Sequence, residues 1–130
     1  VQFSLQSSDD VNLVRACSAS EIRVREHVIR RSVVLTADKI VFDWPPASAR
    51  EISVAELHAV LALEPEIVLL GTGERQVFPP DEVRSLVQRS GVGFEVMDTR
   101  AACRTYNVLV QEGRRVAAAL IVGETPPPAE

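Results

Sequence analysis

The residues of this chain best suited to chemistry lie in two short stretches, Gly71-Thr72-Gly73 with Arg75, and Asp98-Thr99-Arg100. Backbone amides in a glycine turn can cradle an anion, and a helix start adds partial positive charge. Arg75 and Arg100 would supply forked donors to a carboxylate or phosphate. If both stretches leave parallel strands, they meet at one edge of the sheet, where ligands of open α/β folds bind. The plainer alternative is a glycine turn that lets a buried strand bend, a helix cap at Asp98 or Thr99, and two solvated arginines. Neither GxGxxG nor GxxxxGK[ST] occurs, so no nucleotide loop is indicated. Continuing from Arg100 at helical spacing, Arg104, Asn107 and Gln111 form a polar strip that faces either water or a partner protein.

Other chemistries lack residues. His27 and His58 are the only histidines and show neither HxxxH nor HExxH, so no metal site is expected. Cys17 and Cys103 form no CxxC, and both read as small buried hydrophobes in a reducing compartment. Cys103 falls at the core edge of its helix, where a thiol is inert. No GxSxG elbow exists, and Glu56 and Glu82 sit in first helical turns, where a carboxylate complements the helix dipole. The expectation is no catalytic set, no metal and no cofactor, which leans away from an enzyme.

The element that must position the candidate site is Ile67–Leu70, followed by Gly71. Consecutive large apolar residues leave no polar face, as in a strand covered on both sides. Phe78-Pro79-Pro80 then leads into a helix, with Pro80 suited to its first turn and Val83, Leu86 and Val87 as the inner stripe. Phe94–Met97 reads as a second interior strand. A helix follows with Ala102, Cys103, Tyr106, Leu109 and Val110 on its apolar face, and Arg115–Val122 reads as another interior strand. Upstream, Ser53-Val54-Ala55-Glu56 is a capping box that opens a helix to about Leu63. From Val11 to Trp44 the apolar residues come in short β runs separated by Ser18–Ser20 and Thr36–Asp38, which suggests an antiparallel meander. Val1, Phe3 and Leu5 permit a short edge strand.

These elements predict a three-layer α/β fold: a mixed, mostly parallel central sheet, about three helices and an N-terminal antiparallel β layer. With 130 residues, the chain is expected to hold one domain over 1–122 and a Pro-rich mobile tail over 123–130. A net charge of −4 weighs against nucleic acid. No apolar run approaches the roughly 20 residues needed to span a bilayer. Val1–Asp10 lacks the basic and apolar regions of a secretory signal, so a cytoplasmic protein is expected.

The order LLGTG (Leu69–Gly73), FPP (Phe78–Pro80) and MDTRAACRTYNVL (Met97–Leu109), then a glycine turn and an Ala-rich strand, resembles a known family. It is a small single-domain family of unknown biochemical activity that includes the mitochondrial complex I assembly factor 3 and an adipogenesis-associated cytosolic protein. The resemblance covers roughly Val11 to Val122 and implies the same three-layer fold. It carries over no catalytic residues, and its assembly-factor member implies a partner-binding role. The reading is therefore a non-enzymatic binding or assembly module with an unknown protein partner. The alternative is a small-anion or small-molecule site at Gly71–Arg75 and Asp98–Arg100.

Overall fold

The computed structural model describes residues 11–123. Short strands come first: β1 (Val14–Cys17), β2 (Ile22–Val24), β3 (His27–Ile29), β4 (Val33–Leu35) and β5 (Ile40–Val41). Helix α1 (Val54–Leu61), strand β6 (Ile67–Gly71), helix α2 (Asp81–Ser90), strand β7 (Gly93–Met97), helix α3 (Thr99–Gln111) and strand β8 (Val116–Leu120) follow. The expected edge strand at Val1, Phe3 and Leu5 and the tail beyond Gly123 lie outside the described residues.

The central sheet runs β5-β4-β8-β6-β7. Strand β6 is parallel to both β7 and β8, whereas β4 pairs antiparallel with β8 and β5. Alternation along the strands sends residues into two separate cores. Val68 and Leu70 of β6, with Ala117 and Ala119 of β8, meet Leu57 and Val60 of α1, Val83 and Val87 of α2, and Trp44. On the opposite face, Leu69, Ala118 and Leu120 meet Ala102, Cys103, Tyr106 and Val110 of α3, together with Val14, Ile22, Val24 and Ile29 of the small sheet. The sheet is thus the middle of three layers.

The helix boundaries follow local chemistry. Ser53 accepts from the Glu56 amide, and Glu56 Oε1 accepts from the Ser53 amide at 2.8 Å, so the capping box is present. Pro80 stands at the N-cap of α2, one position before the first turn expected for it. Gly91 ends that helix in the left-handed conformation, with φ 79°. Asp98, rather than Thr99, caps α3, its Oδ1 accepting from the Ala101 amide at 2.8 Å.

Two expectations need correction. The first third is not one meander: β1-β2-β3 form a separate antiparallel sheet, while β4 and β5 extend the central one. Burial explains the division, since all of β4 is buried and suits an inner strand, whereas β2 alternates buried and exposed. Strand β7 is an edge strand rather than an interior one; Gly93 and Glu95 are exposed, and the outward Val96 carbonyl accepts from Gln76 Nε2 at 2.9 Å.

The end of β6 admits no side chain. A Cβ on Gly71 would lie 3.0 Å from Thr99 Cα and 3.0 Å from Leu120 Cδ2. Gly71→Ala must therefore displace α3 or β8, and a loss of about 1–3 kcal/mol is expected from such overpacking. Denaturant unfolding measures it as a lowered midpoint; an unchanged midpoint would show that helix and strand separate freely.

Candidate functional site

The parallel register pairs Gly71 with Met97 on one side and with Leu120 on the other, so β6, β7 and β8 end at one rim. The groups there bond to one another. The Thr72 amide donates to Met97 O at 2.9 Å, and its hydroxyl contacts the carbonyls of Arg75 and Met97 while accepting from the Val77 amide at 3.0 Å. The Gly73 amide donates to Thr99 Oγ1 at 2.8 Å, the Thr99 amide returns a bond to Gly73 O at 2.9 Å, and Thr99 Oγ1 donates to Ile121 O at 2.8 Å. Gly71, Thr72, Gly73 and Thr99 are buried, Asp98 is half-buried as the helix cap, and Arg75 and Arg100 are exposed, as is Glu74 between Gly73 and Arg75. Arg100 turns toward the small sheet, its Nε 3.5 Å from Cys17 O.

A groove opens where α3 crosses β1. Asn107 accepts from the Val14 amide through Oδ1 at 2.9 Å and donates through Nδ2 to Val14 O at 2.9 Å. Its carboxamide takes the place of a neighbouring strand and satisfies an otherwise open β edge. Arg104 and Gln111, on the same strip, stay exposed. A cavity of about 310 Å³ includes Arg15, Cys17, Arg100, Cys103 and Arg104, and one of about 680 Å³ includes Arg15, Arg25, Glu26 and Gln111. Both are lined by Val14, Arg15 and Asn107, so they are two lengths of one groove. Arginines outnumber the single acid, Glu26, along it.

The sequence placed Arg100, Arg104, Asn107 and Gln111 on one strip but missed the opposing wall. Arg15 and Cys17 belong to β1 and Arg25 to the turn between β2 and β3, and no periodicity in that sheet names the helix it will meet. The same is true of the meeting of Cys17 with Cys103. A third hollow, about 410 Å³, lies at the starts of β6 and β8, with Val110 and Val116 among its lining. Its charges pair locally: Arg114 Nε lies 2.7 Å from Glu66 Oε2 and Lys39 Nζ 3.9 Å from Asp38 Oδ2. The Arg114 hydrogen bond and the Arg115 amide hold the Glu66 carboxyl below its ordinary range. Among the described residues no group of His, Cys, Asp and Glu could hold a metal ion.

Tyr106 fixes the floor between helix and sheets. Its buried hydroxyl donates to Asn12 O at 2.7 Å, and Asn12 Nδ2 donates onward to Thr36 O at 3.0 Å and Lys39 O at 3.2 Å. Burial pushes the phenol well above its usual range. A folded-state value raised above the unfolded one means stability that is complete below about pH 10 and falls as pH rises beyond it. Tyr106→Phe is expected to lose about 1 kcal/mol at neutral pH, with the Asn12 carbonyl left unpaired, and to flatten the alkaline decline. Denaturant unfolding from pH 7 to about 11 tests both; the chain has no other tyrosine, and the buried Cys103 thiol, also raised, contributes to wild type and variant alike. An alkaline decline identical to the wild type would contradict this account.

Comparison with known proteins agrees with this architecture. The 13 kDa major membrane protein of Francisella tularensis is 40% identical over 72 residues, which are 55% of this chain and 58% of that protein. NADH dehydrogenase (ubiquinone) 1 alpha subcomplex assembly factor 3 of Danio rerio is 42% identical over 91 residues, 68% of this chain and 50% of that protein. The chain therefore spans only 50–58% of the length of these relatives. A solved structure from Xanthomonas campestris superposes with a TM-score of 0.80 at 43% identity, covering 92% of this chain and 90% of that one. A Bordetella pertussis protein, described as an Mth938-like domain, gives 0.75 at 29% identity, covering 87% of each chain. No helix among the described residues is long and apolar enough to cross a membrane. Residues 14–121, from the first residue of β1 to just past the end of β8, match the model of a family described as a protein of unknown function, and the chain belongs to that family, DUF498/DUF598.

Proposed function

We propose that this chain is a protein-binding assembly module whose contact surface is the groove between β1 and α3, and whose partner presents an acidic segment. The observation that carries the reading is the gathering of exposed Arg15, Arg100 and Arg104 along one groove of a chain with net charge −4. A cationic groove on an acidic protein steers a complementary partner and repels copies of itself. Relatives named as an assembly factor support the same class of role. The reading needs no catalytic group, metal or cofactor, no nucleic acid and no membrane insertion. On it the chain works in the cytoplasm, a reducing compartment in which both cysteines rest as thiols.

Affinity capture at native expression, comparing wild type with Arg100→Glu/Arg104→Glu, tests it. Wild type should retain a reproducible partner whose binding weakens with salt. The double reversal should reduce retention about tenfold or more, an effect of roughly 1.4 kcal/mol, with the fold unchanged by circular dichroism. Equal retention by both proteins would remove the groove as the contact surface.

A second reading, a small anion or other small molecule at the rim, is supported by the register that brings Arg75 and Asp98–Arg100 to one edge. The Thr72 hydroxyl, touching carbonyls of both Arg75 and Met97, keeps the two loops together. Gly71, Thr72, Gly73 and Thr99 then shape the rim, and the arginines meet the ligand. A ligand of the native state raises its melting temperature by mass action. Millimolar phosphate, nucleotides or carboxylic acids should raise it in the wild type and less in Arg75→Ala; no rise with any of them would end this reading.

A further inference from the structure

Two thiols far apart in the chain share the smaller cavity of the groove. Cys17 closes β1 and is half-buried, whereas Cys103, in the second turn of α3, is 2% exposed. Both side chains line this one cavity, and each thiol's ionisation is shifted first by the other. The Cys17 S–H donates to Ser18 O at 3.7 Å and to Thr99 O at 3.9 Å, which places it beside the first turn of α3.

The electrostatics divide the pair into two roles. The Cys103 S–H, donating to Cys17, is the largest influence that lowers the Cys17 thiol below its ordinary range. Arg100 and Arg104 add to it, against burial and the Asp98 carboxylate. Donating that hydrogen bond, together with burial, keeps Cys103 protonated. One sulfur is thus accessible and inclined to ionise, and its neighbour is sheltered and holds a proton.

We infer that Cys17 and Cys103 are a dithiol modification site for hydroperoxides, with Cys17 as the attacking sulfur and Cys103 as the resolving one. Cys17 thiolate attacks the terminal oxygen of the hydroperoxide; the S–O bond forms, the O–O bond breaks, and the departing alkoxide or hydroxide takes a proton from water. Cys17 has then lost two electrons and is a sulfenic acid. Cys103 sulfur attacks it, the S–S bond forms, the S–O bond breaks, and the Cys103 proton leaves with the hydroxide as water. An external dithiol restores both thiols by exchange. The disulfide would tie β1 to α3 beside Arg100 and Arg104. The inference stands whether or not a protein occupies the groove.

The test treats the full reduced chain with hydrogen peroxide at neutral pH, blocks remaining thiols, and maps tryptic peptides without reduction. The expected product joins the peptide Ala16–Arg23 to the peptide Ala101–Arg104 within one molecule. It should form several-fold faster than free cysteine oxidises, because an ordinary thiol is only a few per cent ionised at neutral pH. Cys103→Ala should stop at a Cys17 sulfenic acid that dimedone traps, and Cys17→Ser should leave Cys103 reduced. Three results would overturn the inference: oxidation no faster than that of free cysteine, sulfenic acid persisting on Cys17 of the wild type, or disulfides only between separate chains. Because Cys103→Ala removes a buried side chain and can weaken the fold, the wild-type peptide map decides the matter by itself.

Discussion

One buried hydroxyl holds the three strand exits of this fold together. Thr99 Oγ1 accepts from the Gly73 amide and donates to the Ile121 carbonyl, while the Ile121 amide donates to Gly71 O. Helix α3 thereby starts directly on the ends of β6 and β8. Contact this close requires a glycine at Gly71, and it removes the rim amides from competition with water. In a low-dielectric setting each such bond is expensive to leave unmade, so the arrangement forms as a whole or not at all.

The groove is a consequence of that placement. Once α3 is pinned at its start, its apolar face must cover Leu69, Ala118 and Leu120, and its polar strip is carried over the outer edge of β1. Asn107 and Arg100 bond to the backbone of that edge, so part of the strip is structural. Arg104 and Gln111 are left exposed. The small sheet contributes the opposing wall, and Tyr106 with Asn12 keeps the two walls at a constant separation.

Small side chains in the middle of the central sheet serve the same geometry. Ala117, Ala118 and Ala119 in β8 are fully buried and divide between the two cores. Their size lets helices approach closely on one face while the small sheet and α3 approach on the other. Larger residues beside them, Leu69, Leu70 and Tyr106, are among the largest fully buried side chains, and a buried leucine is worth about 1.5–3 kcal/mol relative to exposure.

Much of this was legible before any coordinates. Ile67–Leu70 with no polar face, the Ser53–Glu56 box and a cap at Asp98 or Thr99 are local statements, decided by residues within a few positions of each other, and each names its element. Helical spacing likewise put Arg100, Arg104, Asn107 and Gln111 on one strip. Tertiary structure alone decided which sheet each early strand joined, that β7 lies at an edge, and that Arg15 and Cys17 face α3. Those outcomes depend on contacts between residues far apart in the chain, and neither periodicity nor spacing carries the partner's identity. The alternation of a strand reports that one face is buried, but only the packed layers determine what buries it.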